Sequence, residues 1–343
     1  MNIDRFQFHN ENKKFLSRAD KTWNAILTIP FFIYAVYWGT RHIDVGTDTP
    51  AYINMSLAYL NADPTFLNSI DKGFLAIISL SHFFSDRPEA LLITVCFLEA
   101  ICFYGVGVLF LRKPFYIFIY AIFLLSSPFY LSININILRH GIAIAVALLG
   151  MGLTLHIRHP LYKILAAYPP TLFHNIAGLM TLPIFISINR TNLIWLWLTL
   201  SFTSYFSSLY SSFFTQYLTG RYADYALTET TYRIGFRPDF TLFSSLPLLL
   251  LFIVPFRKMS IDTRRVFNAY LLINGLGLTM NFISFSDRLL TNSWVIIPLL
   301  FALVLRDINE GAFKKRVNRN FFTFIVTVGM VILNLILYIR PAI

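Results

Sequence analysis

The sequence predicts an all-α polytopic membrane protein, and three observations lead to that class. Of the 343 residues, 56% are hydrophobic and only 13% are charged, whereas a soluble domain carries about 25% charged residues. Long apolar runs recur along the chain, and the basic residues lie in short clusters between them, as in cytoplasmic loops of membrane proteins. We therefore expect a cytoplasmic tail over residues 1–22 and a single membrane domain over 23–343 with about 9–11 transmembrane helices.

The apolar runs predict these helices in order. Residues 73–84 are apolar but short, and 161–188 contain Pro169-Pro170, which removes two successive backbone donors. We expect 73–84 not to cross the membrane and 161–188 to be a re-entrant or broken element, of the kind that lines a protein-enclosed cavity. The runs long enough to span are 23–40, 88–111, 115–133, 137–156, 193–212, 240–256, 266–284, 289–305 and 321–339.

The distribution of Lys and Arg predicts the orientation. With the N-terminal tail inside, most of the 28 basic residues fall on the cytoplasmic side. The segments of about 41–87 and 213–239 then lie outside, and the helix ends at Arg139-His140 and Asp287-Arg288 lie on the same side. Acids and arginines are thus gathered at one membrane face. A functional site is expected to face outward.

The motifs that are missing from the sequence narrow the function. The basic residues form no single patch, which disfavours a nucleic-acid partner. The sequence has no D-x-D triplet, no Walker-type loop, no dinucleotide-binding loop and no metal-ligand spacing of Cys or His, so we expect no metal and no cofactor. Cys96 and Cys102 lie on different faces of one predicted helix, and we interpret them as small apolar residues rather than a disulfide.

The loop after the first helix allows two interpretations. Gly46 permits a tight turn, and Asp48 is placed to cap the helix that Pro50 starts. Alternatively, Asp44 or Asp48 is a carboxylate presented at the membrane surface, with Arg41 as its neighbour.

Two arginines stand at the starts of apolar helices. An arginine such as Arg139 is costly there unless it is paired or faces a cavity. The helix N-terminus favours an anion and the guanidinium suits phosphate, with Asn134 and Asn136 as further hydrogen-bonding groups. The alternative is an arginine that reaches lipid phosphates at the interface. Asp287-Arg288 is either a helix cap with its ion partner or another anion clamp.

Two titratable residues lie within apolar surroundings. His174 directly follows the proline break, where it is either a satisfied structural group, a base toward a hydroxyl, or a donor to a leaving phosphate. Glu99 lies near the middle of the 88–111 run, and without a visible basic partner at that depth we interpret it as an internal hydrogen-bonding residue.

The 213–239 segment interleaves arginines with tyrosines. Flat tyrosine rings stack on sugars and arginines hold phosphate, while an interfacial aromatic belt is the alternative. The residues concerned are Arg221, Arg233, Arg237, Tyr217, Tyr222, Tyr225 and Tyr232.

An ordered set of motifs resembles the EpsG family of exopolysaccharide polymerases, which is related to the Wzy-type O-antigen polymerases. The order and spacing match over roughly residues 40–300. The chain departs from the family pattern at two positions, with His140 in place of Gln and Asp71 in place of Glu. The motifs are Arg41-x4-Gly46-Thr47-Asp48-x3-Tyr52, Asp71-Lys72-Gly73-Phe74, Leu138-Arg139-His140-Gly141-Ile142-Ala143, Phe173-His174-Asn175 and Asp287-Arg288.

The resemblance implies an inner-membrane enzyme with a helical fold like that of the GT-C-type glycosyltransferases of lipid-linked sugars. Such an enzyme joins oligosaccharide units carried on undecaprenyl diphosphate, at the periplasmic face. Its expected partners are that lipid-linked oligosaccharide, the bilayer, and a chain-length regulator and flippase of the same pathway. Arginines can stabilise the leaving diphosphate without a metal. A flippase or transporter, an O-antigen ligase and a non-catalytic membrane partner are the alternatives.

The resemblance also suggests roles for the candidate residues. A base is needed for the acceptor hydroxyl, and the candidates are Asp48, His174 and Asp44. The expected diphosphate-binding residues are Arg139, Arg288, Arg233, Arg237 and Arg41. The expected sugar-binding residues are Tyr52, Tyr222, Tyr225 and Tyr232.

Overall fold

The chain folds as an assembly of helices, as predicted. A computed structural model describes residues 18–154, 157, 159–174, 177–185, 192–216, 234–284, 286–312 and 319–339. Every regular element in these ranges is helical. Together with the apolar composition, this confirms the class of an all-α, multi-pass membrane protein.

The first half of the chain contains eleven helices within the described residues. They are α1 (Arg18–Ile26), α2 (Thr28–Gly39), α3 (Thr49–Leu60), α4 (Pro64–Leu67), α5 (Lys72–Phe84), α6 (Ala90–Leu111), α7 (Pro114–Leu125), α8 (Pro128–Ile135), α9 (Leu138–Leu153), α10 (Pro160–Thr171) and α11 (Ala177–Phe185).

The second half of the described chain continues in the same way. It contains α12 (Ile194–Ser204), α13 (Ser207–Thr215), α14 (Pro238–Ser245), α15 (Leu250–Ile253), α16 (Ile261–Thr279), α17 (Ser286–Trp294), α18 (Ile297–Asp307) and α19 (Arg319–Ile339).

Several predicted spans are broken into shorter helices, often at proline. The predicted 115–133 run is α7 followed by α8, bent by 67° where Pro128 begins the new helix. The 240–256 run becomes α14, a 3-10 turn that contains Pro247, and α15. Proline lacks the N–H that would continue the helix, and its fixed φ suits a first helical turn.

These breaks leave fewer helices of spanning length than the 9–11 that we expected. By length and composition, Ala90–Leu111, Ser286–Glu310 and Asn320–Tyr338 are long enough to cross a membrane, and the bent pair α7–α8 brings the described chain to four. Shorter apolar helices occupy much of the remaining predicted runs. The helices lie in the apolar runs, but several runs form two or more short helices instead of one continuous helix.

The 161–188 segment is broken as predicted, although the break follows the prolines. Pro169 and Pro170 lie in the last turn of α10, which ends at Thr171, and α11 begins at Ala177. Both helices pack on α9 and on each other, as in a helical hairpin. Each proline removes one i→i−4 hydrogen bond, and the helix ends one residue after the pair.

A small apolar core holds residues 41–87, which we call the outer segment after their predicted side of the membrane, against the neighbouring helices. It joins α3 and α5 to α6 and α9, separately from the large core of the bundle. Each fully buried large side chain contributes about 1.5–3 kcal/mol. The buried members of this small core are Tyr52, Ile53, Ile70, Phe74, Ile77, Ile78, Leu91, Leu92, Val95, Leu138 and Ile142.

Helix α6 runs from the small apolar core to a polar cluster around Arg306. Leu92, near its start, belongs to the small core. Near its end, the Phe110 carbonyl accepts a 2.6 Å hydrogen bond from Arg306, which also contacts Asp307 at 3.1 Å. A rise of 1.5 Å per residue separates Leu92 from Phe110 by about 27 Å, close to the thickness of a bilayer core. The small core and the polar cluster around Arg306 therefore lie at opposite ends of the bundle.

The contact of α2 with α6 gives a stability prediction. A Cβ on Gly39 would lie 2.6 Å from the Cα of Ile93, and overpacking of this kind costs about 1–3 kcal/mol. Gly39→Ala should therefore lower the thermal unfolding midpoint of the detergent-solubilised protein. Gly329→Ala is the control, because no described atom lies within 4 Å of its added Cβ. Equal midpoints for both variants would contradict the close packing of α2 on α6.

Candidate functional site

Five segments that are distant in sequence meet at one end of the bundle. They are residues 41–52, 71–74, 135–140, 172–174 and 288–292, joined by the contacts described below. The small core holds α3 and α5 against α6 and α9, so the polar residues at the starts of these helices are brought together.

The 41–52 loop is fastened to the junction of α8 and α9. Gly46 has a φ of +93°, and a Cβ there would lie 2.7 Å from the Ile135 carbonyl oxygen. The next backbone N–H, that of Thr47, donates to Asn136 Oδ1 at 3.0 Å. Glycine is required here because the turn is left-handed and approaches another backbone closely. This turn places Asp48 directly beside the start of α9.

Arg41 braces this loop from inside. Its guanidinium donates to the carbonyls of Trp38 at 2.7 Å and Ile135 at 3.2 Å, and to Thr49 Oγ1 at 3.2 Å. Burial lowers the pKa of Arg41, whose exposure is 9%. The Arg41 guanidinium, which we predicted to bind the diphosphate, is thus already hydrogen-bonded to acceptors of the protein.

Asp48 lies at the N-cap position of α3, but its side chain makes no capping hydrogen bond. Its Oδ2 lies 3.4 Å from Nη2 of Arg288, and its Oδ1 accepts from Thr47 Oγ1 at 3.3 Å. The side chains of the pair are 31% and 30% exposed, respectively. The prediction that the Asp48 side chain caps α3 is therefore wrong, because the carboxylate contacts the Arg288 guanidinium and no backbone N–H of the helix. Arg288, in turn, pairs with an acid 240 residues away.

Asp71 and Arg139 form a second, more buried pair. Arg139 Nη1 lies 3.2 Å from Asp71 Oδ2, with side-chain exposures of 11% and 26%. Asp71 is also an N-cap residue without a capping hydrogen bond, here for α5. This burial and pairing disfavour an Arg139 that extends to lipid phosphates. Asp71 was identified only as part of a motif, and its pairing with Arg139 was not predicted because the two residues are 68 positions apart.

Tyr52 occupies the space between the two pairs. Its ring packs 5.8 Å from that of Phe74 and is 5% exposed, so it offers no open face for stacking on a sugar. Burial raises the pKa of Tyr52 to about 12, and the charges of Arg139, Asp48 and Arg288 all act on its hydroxyl. The neutral hydroxyl donates a hydrogen bond to the Asn136 carbonyl at 3.4 Å.

Two stacked histidines complete the cluster. The rings of His140 and His174 lie 5.3 Å apart with an interplanar angle of 24°. His140 is 3% exposed, and its Nε2 lies 2.9 Å from Asn292 Oδ1 on α17. His174 is half-buried. Two residues before it, the Leu172 carbonyl accepts a 2.8 Å hydrogen bond from the Gly73 N–H. Sequence reasoning missed Asn292, although an amide within an apolar run was a visible signal.

The other predicted residues have different surroundings. The Asp44 side chain is 83% exposed and lies 3.0 Å from His42 Nδ1. Arg237 forms a bidentate pair with Asp239 at 2.7 and 3.0 Å, and its guanidinium lies 4.0 Å above the Phe240 ring. The Arg237 pair lowers the pKa of Asp239. Outside the described residues lie Arg221, Arg233, Tyr217, Tyr222, Tyr225 and Tyr232.

The arrangement suits a bound anion. Two guanidinium groups on different helices, a tyrosine hydroxyl and two imidazoles meet, and each guanidinium is neutralised by a carboxylate from the outer segment. Arginine forms bidentate hydrogen bonds with phosphate oxygens. Among the described residues, no group of three His, Cys, Asp or Glu side chains is placed to hold a metal ion.

Comparison with known proteins gives one match. The model of the EpsG family matches residues 24–342, a range that contains all five segments of the site. No curated protein and no solved structure matches the chain significantly.

The buried pair gives a prediction that is independent of function. Asp71→Asn, Arg139→Gln and the double variant form a double-mutant cycle, for which we expect a coupling energy of about 1 kcal/mol or more, since residues in contact couple by about 0.5–3 kcal/mol. Unfolding of the purified protein measures it. The same cycle on Arg237 and Asp239 is the control, expected at about 0.2–1 kcal/mol because that carboxylate is 55% exposed. An absence of coupling between Asp71 and Arg139 would contradict the ion pair.

Proposed function

Because this chain belongs to the EpsG family, we propose that it joins oligosaccharide repeat units carried on undecaprenyl diphosphate into O-antigen, capsule or exopolysaccharide. The family makes the chain a polysaccharide polymerase in general terms, and the composition and helices make it a multi-pass membrane protein. The lipid-linked substrate and the reaction at the periplasmic face of the inner membrane are our proposal.

One observation supports this proposal most directly. Arg139 and Arg288 stand at the starts of two membrane helices, and each contacts a carboxylate from the outer segment. The donor in such a reaction has its diphosphate in the membrane interface, where two arginines at the end of a bundle can bind it. Preorganised cations in a site of low dielectric stabilise the charge that develops on a leaving group. No metal is then required for this step.

The proposed reaction has a simple bond balance. A hydroxyl of the incoming lipid-linked unit attacks the anomeric carbon of the growing glycan, and a new glycosidic C–O bond forms. The bond from that carbon to the diphosphate oxygen breaks, and both bonding electrons stay on that oxygen. Arg139 and Arg288 bind the polyprenyl diphosphate that leaves. The proton of the hydroxyl moves to a base.

Asp48 is the best-placed base of the three candidates. At rest it is held by Arg288 at 3.4 Å. A diphosphate that binds Arg288 competes with this carboxylate and releases it toward the acceptor hydroxyl. His174, stacked on His140, is the second candidate. Asp44 is 83% exposed beside His42 and has less support.

The pathway context follows from the substrate. A lipid-linked unit must be carried across the membrane by a flippase before it reaches this face, and a chain-length regulator is the expected partner that sets polymer size. Arg237 and Arg233 remain candidate contacts for the diphosphate, and the tyrosines of 213–239 remain candidate contacts for the glycan.

The proposal is tested by deleting and complementing the gene in its native host, followed by gel analysis of the surface glycan. A polymerase predicts loss of the ladder with a single repeat unit retained. Loss of every repeat, including the first, would favour a flippase or a ligase. An unchanged ladder would contradict the proposal for the main polymer of that host.

The arginines are tested by Arg139→Gln and Arg288→Gln. Each should lower polymer formation by about 10²–10³-fold, the range for removing one group that stabilises developing charge. The readout is the ladder at equal amounts of membrane-inserted protein. Arg87→Gln, an exposed arginine of the outer segment, should leave the ladder unchanged. Full-length polymer from Arg139→Gln would remove that residue from the site.

The base is tested by Asp48→Asn. Loss of a general base should lower the rate by about 10²–10⁴-fold, while Asp44→Asn should have wild-type activity because Asp44 is exposed away from the pairs. His174→Gln tests the alternative that His174 is the base. If His174→Gln is inactive and Asp48→Asn is active, the base is the histidine and our assignment is wrong.

A further inference from the structure

Arg41 carries a buried charge whose hydrogen bonds all go to uncharged acceptors. Within the described chain these acceptors are three carbonyls and the Thr49 hydroxyl. The two nearby aspartates, Asp48 and Asp71, contact Arg288 and Arg139 instead. A charge that is removed from water is only partly compensated by neutral hydrogen-bond acceptors, and a counter-charge lowers the remaining cost.

Glu99 is a further acid, and its charge acts on Arg41. It lies in the middle of α6 with 0% exposure, and neither carboxylate oxygen has a hydrogen-bond partner within the described chain. One helical turn earlier, the Cys96 thiol donates to the Asn134 carbonyl at 3.6 Å. The adjacent carbonyl, that of Ile135, is an acceptor of Arg41. Glu99 therefore lies one helical turn further along α6 than this contact, and the charges of Glu99 and Arg41 act on each other.

Other polar atoms near Glu99 are also unsatisfied. The hydroxyls of Tyr34 and Tyr130 and the Asn134 Oδ1 are buried without a hydrogen-bond partner in the described chain. The two tyrosine rings lie 5.1 Å apart, and both hydroxyls are affected by the Glu99 charge. Buried polar groups are rarely left unpaired, and ordered water usually satisfies those that protein groups do not reach. These five oxygens offer ordered water the polar partners that it needs.

Glu99 also contacts the helix that carries Arg139. Its Oε1 lies against Gly141, where an added Cβ would overlap with it. The carboxylate is thus situated between the start of α9 and the loop that Arg41 braces. A group in this position affects both the Asp48 loop and the Arg139 helix.

We propose that Glu99 is the counter-ion of Arg41, joined to it through ordered water that also satisfies Tyr34 and Tyr130, and that it positions the loop carrying Asp48. The positioning role rests on the proposed function of Asp48. The ion pair itself does not, and the two parts have separate readouts.

The ion pair is tested by comparing Glu99→Gln in two backgrounds. In the wild type it leaves the Arg41 charge uncompensated, so the unfolding midpoint of the purified protein should fall. In an Arg41→Gln background the counter-charge is no longer needed, and Glu99→Gln should have little effect or raise the midpoint. Glu310→Gln is the control, because Glu310 forms an exposed pair with Lys113. An equal fall of the midpoint in both backgrounds overturns the ion pair, whatever the chain polymerises.

The positioning role is tested by comparing Glu99→Asp with Glu99→Gln in the ladder assay. Aspartate keeps the charge, and water can fill the space of the lost methylene, so Glu99→Asp should retain most of the polymer. Glutamine keeps the size and loses the charge, so Glu99→Gln should lower polymer at least tenfold at equal inserted protein. The reverse order would indicate a role in packing alone and overturn the proposal. If deletion of the whole gene leaves the ladder unchanged, the proposed function fails, and the midpoint comparison still decides the ion pair.

Discussion

The neutralisation of arginines at the ends of membrane helices is the constraint on which the rest of this structure depends. A guanidinium is costly in a medium of low dielectric unless a carboxylate or a set of hydrogen-bond acceptors accompanies it. Arg139 and Arg288 obtain carboxylates from the outer segment, at 3.2 and 3.4 Å. The small apolar core holds that segment in place, so packing and charge pairing support each other.

The same ion pairs also determine which groups of the site are available to react. Asp48 and Asp71 occupy N-cap positions, where the helix dipole favours an acid, yet both extend their side chains to arginines. The resting site is therefore close to neutral, and its cations are held by carboxylates that an incoming diphosphate could replace. Binding of the substrate would then activate a base in the same step. Tyr52, on which the charges of both pairs act, stays neutral at physiological pH because burial raises its pKa to about 12, and its hydroxyl donates to the Asn136 carbonyl.

Local patterns predicted the components of the site but not their partners. The cost of an arginine at the start of an apolar helix identified Arg139, and turn chemistry identified the Gly46 loop. The pairs Asp48–Arg288 and Asp71–Arg139 join residues 240 and 68 positions apart, which only the packing of helices brings together. Tyr52 was predicted as a sugar platform because sequence shows the ring but not that Phe74 covers it. Apolar runs were visible as well, but 115–133 was predicted as one span because Pro128 was not interpreted as the start of a new helix, and the run bends there by 67°.

The most direct measurement of the central claim is reconstitution of the purified chain in a bilayer with the lipid-linked repeat unit of its own host. Polymer length and released polyprenyl diphosphate are then measured together. The account predicts one polyprenyl diphosphate released for each glycosidic bond formed, and loss of both products when Arg139 or Arg288 is neutralised. Transfer of the lipid-linked unit across the bilayer without any new bond, or polymer formation that is unaffected by these arginines, would contradict it.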